Sequence, residues 1–124
     1  GQIVGKYIAI QTISSSGKSG MTLYRKSDGQ KIKTITSNCS YYEFIDNTFY
    51  YVEPIAEFKY KIKSYNIEKK KTITYGTIKA NEFGAITSKY LYYSNGPMIG
   101  ECKYYKYSFA KKKSIRITEE AFQY

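Results

Sequence analysis

The side chains of this sequence that could do chemistry are mostly lysines, and histidine is absent. The chain has 20 Lys plus Arg against 10 Asp plus Glu, a formal net charge of +10 over 124 residues. Without histidine, it lacks the commonest general base and the commonest metal ligand. A balance of this sign suits acidic partners such as nucleic acid, anionic lipid or acidic glycans.

The lysines cluster at corresponding places in the pattern. Two triplets, 69–71 and 111–113, occupy short turns between strand-like segments, and single lysines stand in two further turns. The predicted binding surface comprises Lys6, Lys69, Lys70, Lys71, Lys89, Lys111, Lys112 and Lys113. Such a surface could hold a polyanion by summed Coulomb attraction and counterion release. The alternative interpretation is that these lysines keep hairpin turns soluble and block edge-to-edge pairing.

Catalytic patterns are missing from the sequence. Nucleophilic catalysis needs a base beside the nucleophile, and serine and threonine have neither histidine nor a G-x-S-x-G motif here. Glu119 and Glu120 are adjacent, so on a strand they would point to opposite faces and could not share a substrate. The Gly17-Lys18-Ser19 triplet resembles the end of a phosphate-binding loop without its first glycine or following helix. The sequence therefore predicts a protein that is not an enzyme and needs no cofactor.

The two cysteines do not suggest a metal site. Cys39 and Cys102 are 63 residues apart and there is no CxxC spacing, which argues against zinc. They could form one disulfide or be two small buried hydrophobes. Because a middle repeat unit would separate them, we predict two free thiols. No run of about 18 apolar residues is present, so no membrane span is predicted.

The elements that must position the lysines recur three times along the chain. Tyr107 follows Tyr65 by 42 residues, and Tyr24 precedes it by 41. Aligning Phe49 with Tyr90 and Tyr7 gives shifts of 41 and 42. Two anchors with nearly the same period predict three tandem units of about 41 residues. Their approximate bounds are 3–44, 45–85 and 86–124, within one domain, 1–124.

Each unit has the pattern of four short antiparallel strands joined by hairpins, so the predicted fold class is all-β. The Asp28-Gly29 dipeptide is typical of a hairpin turn. Pro54 is predicted to end the strand Phe49–Val52, because proline removes a ladder donor. The opening strand of the first unit is either Gln2–Val4 or a strand supplied by the tail, Ala121–Tyr124.

The segments FIDNTFYYV…YKIKSYNIEKKKTIT and ITSKYLYYSN…YYKYSFAKKKSIRIT resemble blades of tyrosine-rich bacterial β-propellers, similar to the YWTD repeats of lipoprotein receptors. The resemblance implies one propeller blade per unit and a non-catalytic binding or scaffold module whose ligand is a protein or a glycan. No YWTD, WD or kelch signature is present. Propellers close with about four to eight blades, so three units imply a fragment or half of a ring closed by two chains.

A β-trefoil is the alternative fold, since it too has three four-stranded repeats of this length, closed within one chain. The trefoil-lectin QxW motif is absent. A trefoil would act alone and bind carbohydrate or polyanions. The two folds predict different masses: a propeller half should form a homodimer of about 29 kDa, whereas a trefoil should remain at 14.4 kDa.

Overall fold

The computed structural model describes residues 5–96 and 102–117, and in these residues all regular secondary structure is β-strand. The strands form three antiparallel meanders, in which consecutive strands are neighbours. Sheet 1 contains β1 (Tyr7–Ile13), β2 (Ser19–Arg25) and β3 (Lys31–Ile35). Sheet 2 contains β4 (Tyr41–Ile45), β5 (Thr48–Ala56), β6 (Lys59–Asn66) and β7 (Lys71–Lys79). Sheet 3 contains β8 (Glu82–Ile86), β9 (Tyr90–Asn95), β10 (Lys103–Ser108) and β11 (Lys113–Ile117). The predicted all-β class is confirmed.

Sheets 2 and 3 each have the four strands expected of a unit, and sheet 1 has three among the described residues. Both candidates for its opening strand, Gln2–Val4 and Ala121–Tyr124, lie outside the described residues. Sheets 2 and 3 begin at Tyr41 and Glu82, a few residues before the approximate unit boundaries at 45 and 86. The aromatic pattern marks a period, and it does not mark which strand opens the sheet.

Strand β5 continues through Pro54, so the prediction that this proline ends the strand was wrong. Pro54 pairs with Tyr60 of β6, and a bulge follows before Ala56. The pairing of β5 with β4 reaches only Val52, so beyond that point β5 has a ladder partner on one side. A missing N–H is tolerated at such an edge, and sequence alone did not show where β4 would begin.

One backbone hydrogen bond recurs at the equivalent place in all three sheets. The N–H groups of Lys26, Ile67 and Phe109 donate to the carbonyls of Lys6, Asn47 and Lys89 at 2.9, 2.8 and 3.2 Å. In each sheet the donor is the residue directly after β2, β6 or β10. The acceptor is the residue directly before the neighbouring strand, β1, β5 or β9. Sheet 1 is thereby related to sheet 2 by 41 residues, and sheet 2 to sheet 3 by 42. The tyrosine anchor at Tyr65 has the same shifts.

The strand pairing corrects the other predicted anchor. The pairs Ile8–Tyr24, Phe49–Tyr65 and Leu91–Tyr107 occupy the same ladder position in the three sheets. Phe49 therefore corresponds to Ile8 and Leu91, and the alignment of Phe49 with Tyr7 and Tyr90 was wrong by one residue. Such a slip exchanges the two faces of a strand.

The sheets stack in chain order around two core layers. We call the face that carries Phe49 in sheet 2, and the equivalent faces that carry Ile8 in sheet 1 and Leu91 in sheet 3, the front face of each sheet. The opposite face is the back face. In the first layer the back face of sheet 1 meets the front face of sheet 2, with Met21, Leu23 and Ile35 against Phe49, Tyr65 and Ile67. In the second the back face of sheet 2 meets the front face of sheet 3, with Val52, Ile62 and Ile78 against Leu91, Tyr107 and Phe109. Sheet 2 is therefore covered on both faces.

The buried side chains are large enough to hold the stack together. Fully burying a Leu, Ile, Val or Phe side chain contributes about 1.5–3 kcal/mol, and Leu23, Phe49, Val52, Ile62 and Leu91 are all fully buried. Ring contacts add to the second layer, where Tyr41 stacks on Phe83 with centroids 5.4 Å apart. This contact lies between the opening strands of sheets 2 and 3, whose backbones come close together.

Candidate functional site

All eight predicted lysines are exposed and lie at the same end of their sheets. In an antiparallel meander alternate turns emerge at one end, which here carries the β4–β5, β6–β7, β8–β9 and β10–β11 turns. Lys6 precedes β1, Lys69 and Lys70 form the β6–β7 turn, Lys71 begins β7, Lys89 precedes β9, Lys111 and Lys112 form the β10–β11 turn, and Lys113 begins β11. We call these eight residues the lysine-turn surface.

Contacts between sheets place these turn ends beside one another. At the start of β1 the Tyr7 hydroxyl donates to Asn47 Oδ1 in the β4–β5 turn at 3.0 Å. Phe109, which follows β10, stacks on Tyr50 near the start of β5 with ring centroids 4.6 Å apart. The lysines of all three sheets therefore lie at the same end of the stack.

The two lysine triplets have the same local geometry. Lys70 and Lys112 are the αL residues of their turns, each with φ 54°, a conformation that costs energy for a residue with a Cβ. A polar side chain at the end of the preceding strand stabilises each turn. Asn66 Oδ1 accepts the Lys69 N–H at 2.9 Å, and Ser108 Oγ accepts the Lys111 N–H at 3.1 Å. The turns are thus defined structures that project their lysines into solvent.

Sheet 1 adds two cations that the sequence analysis did not include. Arg25 and Lys26 are exposed at the end of β2, and with Lys6, Tyr7 and their neighbours they line a groove of about 510 Å³. Arg25 Nη1 lies 3.1 Å from Asp28 Oδ2. The hydrogen bond from the Gln30 N–H, together with Arg25, lowers the pKa of Asp28. Lys26 occupies the repeat position of Ile67 and Phe109, and its N–H donates to the Lys6 carbonyl. A correct repeat register would therefore have placed Lys26 beside Lys6.

Acidic groups share this end of the stack. A second groove, about 400 Å³, opens beside Lys6 and is lined in part by Glu43 and Asp46 of sheet 2. Glu68 accepts a hydrogen bond from Asn47 Nδ2 at 2.6 Å. These three carboxylates therefore surround the β4–β5 turn, while the lysine triplets extend from the neighbouring turns.

A second polar cluster is buried between sheets 1 and 2, at the end opposite the lysine-turn surface. Glu53 on the front face of β5 lies 2.7 Å from Lys63 Nζ on β6, and Ser37 Oγ donates to its other carboxylate oxygen. Burial alone would raise the pKa of Glu53, but the hydrogen bonds from Lys63 and Ser37 and the charges of Lys63 and Lys61 outweigh it and lower the pKa. Glu53 is therefore a paired carboxylate that joins the two sheets.

Cys39 lies beside this cluster without an activated thiolate. Burial and the charge of Glu53 raise the pKa of its thiol to about 12, so the thiol stays protonated near neutral pH and is a poor nucleophile. Cys39 and Cys102 are both free. This buried cluster supplies structural contacts, and its groups are not arranged as nucleophile and base.

Within the described residues, no group of three or more metal-ligating side chains could hold a metal ion. The same residues include no helix long and apolar enough to cross a membrane. Comparisons with models of protein families, with curated proteins and with solved structures found no match.

Proposed function

We propose that this protein is a non-catalytic binding module of β-propeller type, and that its lysine-turn surface binds a polyanion of the acidic-glycan kind. The observation that carries the proposal is the convergence of eight exposed lysines from three sheets at one end of the stack. Arg25 extends the positive surface in sheet 1.

The energetics favour a long anionic ligand over a small one. An exposed ion pair contributes only about 0–1 kcal/mol, so no single lysine of this surface would hold a ligand. A polymer that contacts several lysines sums these contributions and releases a counterion at each contact. Binding should therefore depend on many charges at once and weaken steeply as salt is raised.

Two observations support blade-like packing of the sheets. The two core layers have the same order, the back face of one sheet on the front face of the next, as a rotation that relates successive blades requires. The opening strands β4 and β8 also come close together, as the innermost strands of neighbouring blades do. A monomeric β-trefoil is the alternative, and the mass measurement described below discriminates between the two.

The test is binding to heparin and to DNA across a range of salt concentrations. In the site variant Lys69, Lys70, Lys111 and Lys112 are replaced by Gln, and binding at low salt should fall at least about tenfold, with a shallower log–log salt slope. Thermal stability should change little, since exposed substitutions shift it by within about 0.5 kcal/mol.

A matched control removes the same charge from the opposite end of the stack. Lys18, Lys59, Lys79 and Lys103 are exposed beside the β1–β2, β5–β6, β7–β8 and β9–β10 connections. Replacing these four lysines by Gln should leave most of the binding intact. Equal losses in the two variants would mean that net charge alone drives binding, and an absence of binding by the wild type would leave the lysines as solubilising residues.

A further inference from the structure

The front face of sheet 1 carries apolar side chains at positions that are core in the other sheets. Ile8, Ile10 and Tyr24 correspond to Phe49, Tyr51 and Tyr65 of sheet 2, all of them buried against sheet 1. No sheet among the described residues covers this face of sheet 1. Ile10 is 48% exposed, and Ile8 and Tyr24 are half-buried. An apolar face of this kind is typical of an interface.

The back face of sheet 3 is the complementary case. It carries Tyr92, Tyr104, Lys106 and Ile117, and the corresponding back face of sheet 2 is covered by sheet 3. A cavity of about 260 Å³ opens among Tyr92, Tyr104 and Ile117, and Tyr104 is 46% exposed. Lys106 reaches along the sheet, with its Nζ 4.5 Å from the centroid of the Tyr90 ring, so its ammonium does not fill the cavity.

We infer that a second copy of this chain covers both faces, with the back face of sheet 3 in one copy packed on the front face of sheet 1 in the other. The occupant follows from the chain's own interfaces, because both internal layers join a back face to a front face. When each copy packs its sheet 3 on sheet 1 of the other, the dimer has two-fold symmetry. Its six sheets then close into a ring, within the range of about four to eight blades. The inference goes beyond polyanion binding and uses a different surface from the lysine turns.

The repeat register specifies which side chains meet. In the second core layer Phe109 of sheet 3 stacks on Tyr50 of sheet 2, with centroids 4.6 Å apart. The equivalent positions at the new interface are Lys26, related to Phe109 through Ile67, and Tyr92, related to Tyr50. Lys26 of one copy should therefore lie over the Tyr92 ring of the other, a cation–π contact in place of an aromatic stack.

The first experiment measures mass by analytical ultracentrifugation at micromolar concentration. The wild type should sediment at about 29 kDa, twice the 14.4 kDa of the chain. Ile10→Glu and Tyr104→Glu should each raise the dimer Kd about 30-fold or more, because each buries a charge in the apolar contact. Ile55→Glu is the matched control, since Ile55 is 46% exposed at the end of β5, away from both faces. The fourfold lysine variant should also stay dimeric.

The second experiment tests the pairing without relying on a disruptive substitution. Lys26→Cys and Tyr92→Cys are made in separate chains that also carry Cys39→Ser and Cys102→Ser. After mixing and oxidation with oxidised glutathione, covalent dimers should form in the mixture of the two chains and in neither chain alone. A wild-type monomer of 14.4 kDa, or cross-linking of Lys26→Cys chains with one another, would overturn the inference.

Discussion

Removing the hydroxyl of Tyr107 should stabilise the protein. Tyr107 is 3% exposed in the second core layer, and its hydroxyl has no hydrogen-bond partner among the described residues. An unsatisfied buried polar group costs about 1–3 kcal/mol. Tyr107→Phe keeps the ring and removes that cost, so the free energy of unfolding should rise by about 1 kcal/mol, which is about 3–5 °C in Tm for a chain of this length.

The same hydroxyl should make Gly76 intolerant of a side chain. A Cβ on Gly76 would lie 2.9 Å from the Tyr107 hydroxyl oxygen, whereas the next ring atoms are 3.8 and 4.0 Å away. Gly76→Ala alone should cost about 1–3 kcal/mol through overpacking. In the Tyr107→Phe background the clash is gone, and Ala should be neutral or stabilising by about 0.5–1 kcal/mol over Gly in a strand. The coupling energy should thus exceed about 1 kcal/mol.

The assay is urea unfolding followed by circular dichroism, for the wild type, both single variants and the double variant. Tyr93→Phe is the control, because Tyr93 is also buried, at 7% exposure, but shares a 2.5 Å hydrogen bond with Ser114 Oγ. Its loss should destabilise by about 1 kcal/mol. The reasoning is refuted if Tyr107→Phe destabilises the protein as Tyr93→Phe does, or if Gly76→Ala costs the same in both backgrounds.

Three further predictions concern a buried carboxylate, a thiol and a turn. Since the pKa of Glu53 is lowered from 4.5, its ionised form stabilises the fold above that value. This contribution is lost as pH falls through the folded-state pKa, so the stability difference between wild type and Glu53→Gln in urea titrations should shrink from about pH 6 to pH 3. Because the pKa of Cys39 is raised to about 12, iodoacetamide at about pH 8 should label it more than about 100-fold faster after unfolding than before. Equal rates in the two states, followed by mass spectrometry, would contradict its burial. Lys112 has φ 54°, so Lys112→Gly should raise the unfolding free energy by a few tenths to about 1 kcal/mol, whereas Lys113→Gly within β11 should lower it by about 0.5–1 kcal/mol.

The repeat period and strand type could be predicted from the sequence because tyrosine is both the anchor and a good strand former. The position of each tyrosine on a face could not. In β5 Tyr50 and Tyr51 are adjacent and point into different core layers, so both faces look alike when spacing alone is compared. The recurring Ile67–Asn47 backbone bond and its equivalents resolve the register, and nothing in residue type marks such a bond.

The lysine turns could be predicted from the sequence because turn positions follow from strand order. The buried ion pair between Glu53 and Lys63 could not. Glu53 stands next to Pro54, and a Glu-Pro pair is more typical of a loop. Its burial depends on how far β5 extends past the end of β4, and on Lys63 being presented on the same face by β6. These properties depend on how β4, β5 and β6 pair with one another, which the pattern of residue types within one strand does not contain.

The stacking of the sheets in chain order has a consequence for how the protein opens. Within one copy of the chain, the two described core layers join sheet 1 to sheet 2 and sheet 2 to sheet 3. In the dissociated chain, separating sheet 1 or sheet 3 therefore exposes one core layer, while freeing sheet 2 exposes both. The free energy of local opening should therefore be graded along the chain, as in linear repeat proteins. Amide protons of β5 and β6 should exchange with solvent most slowly, and those of β1 and β11 should exchange earlier without unfolding the remainder.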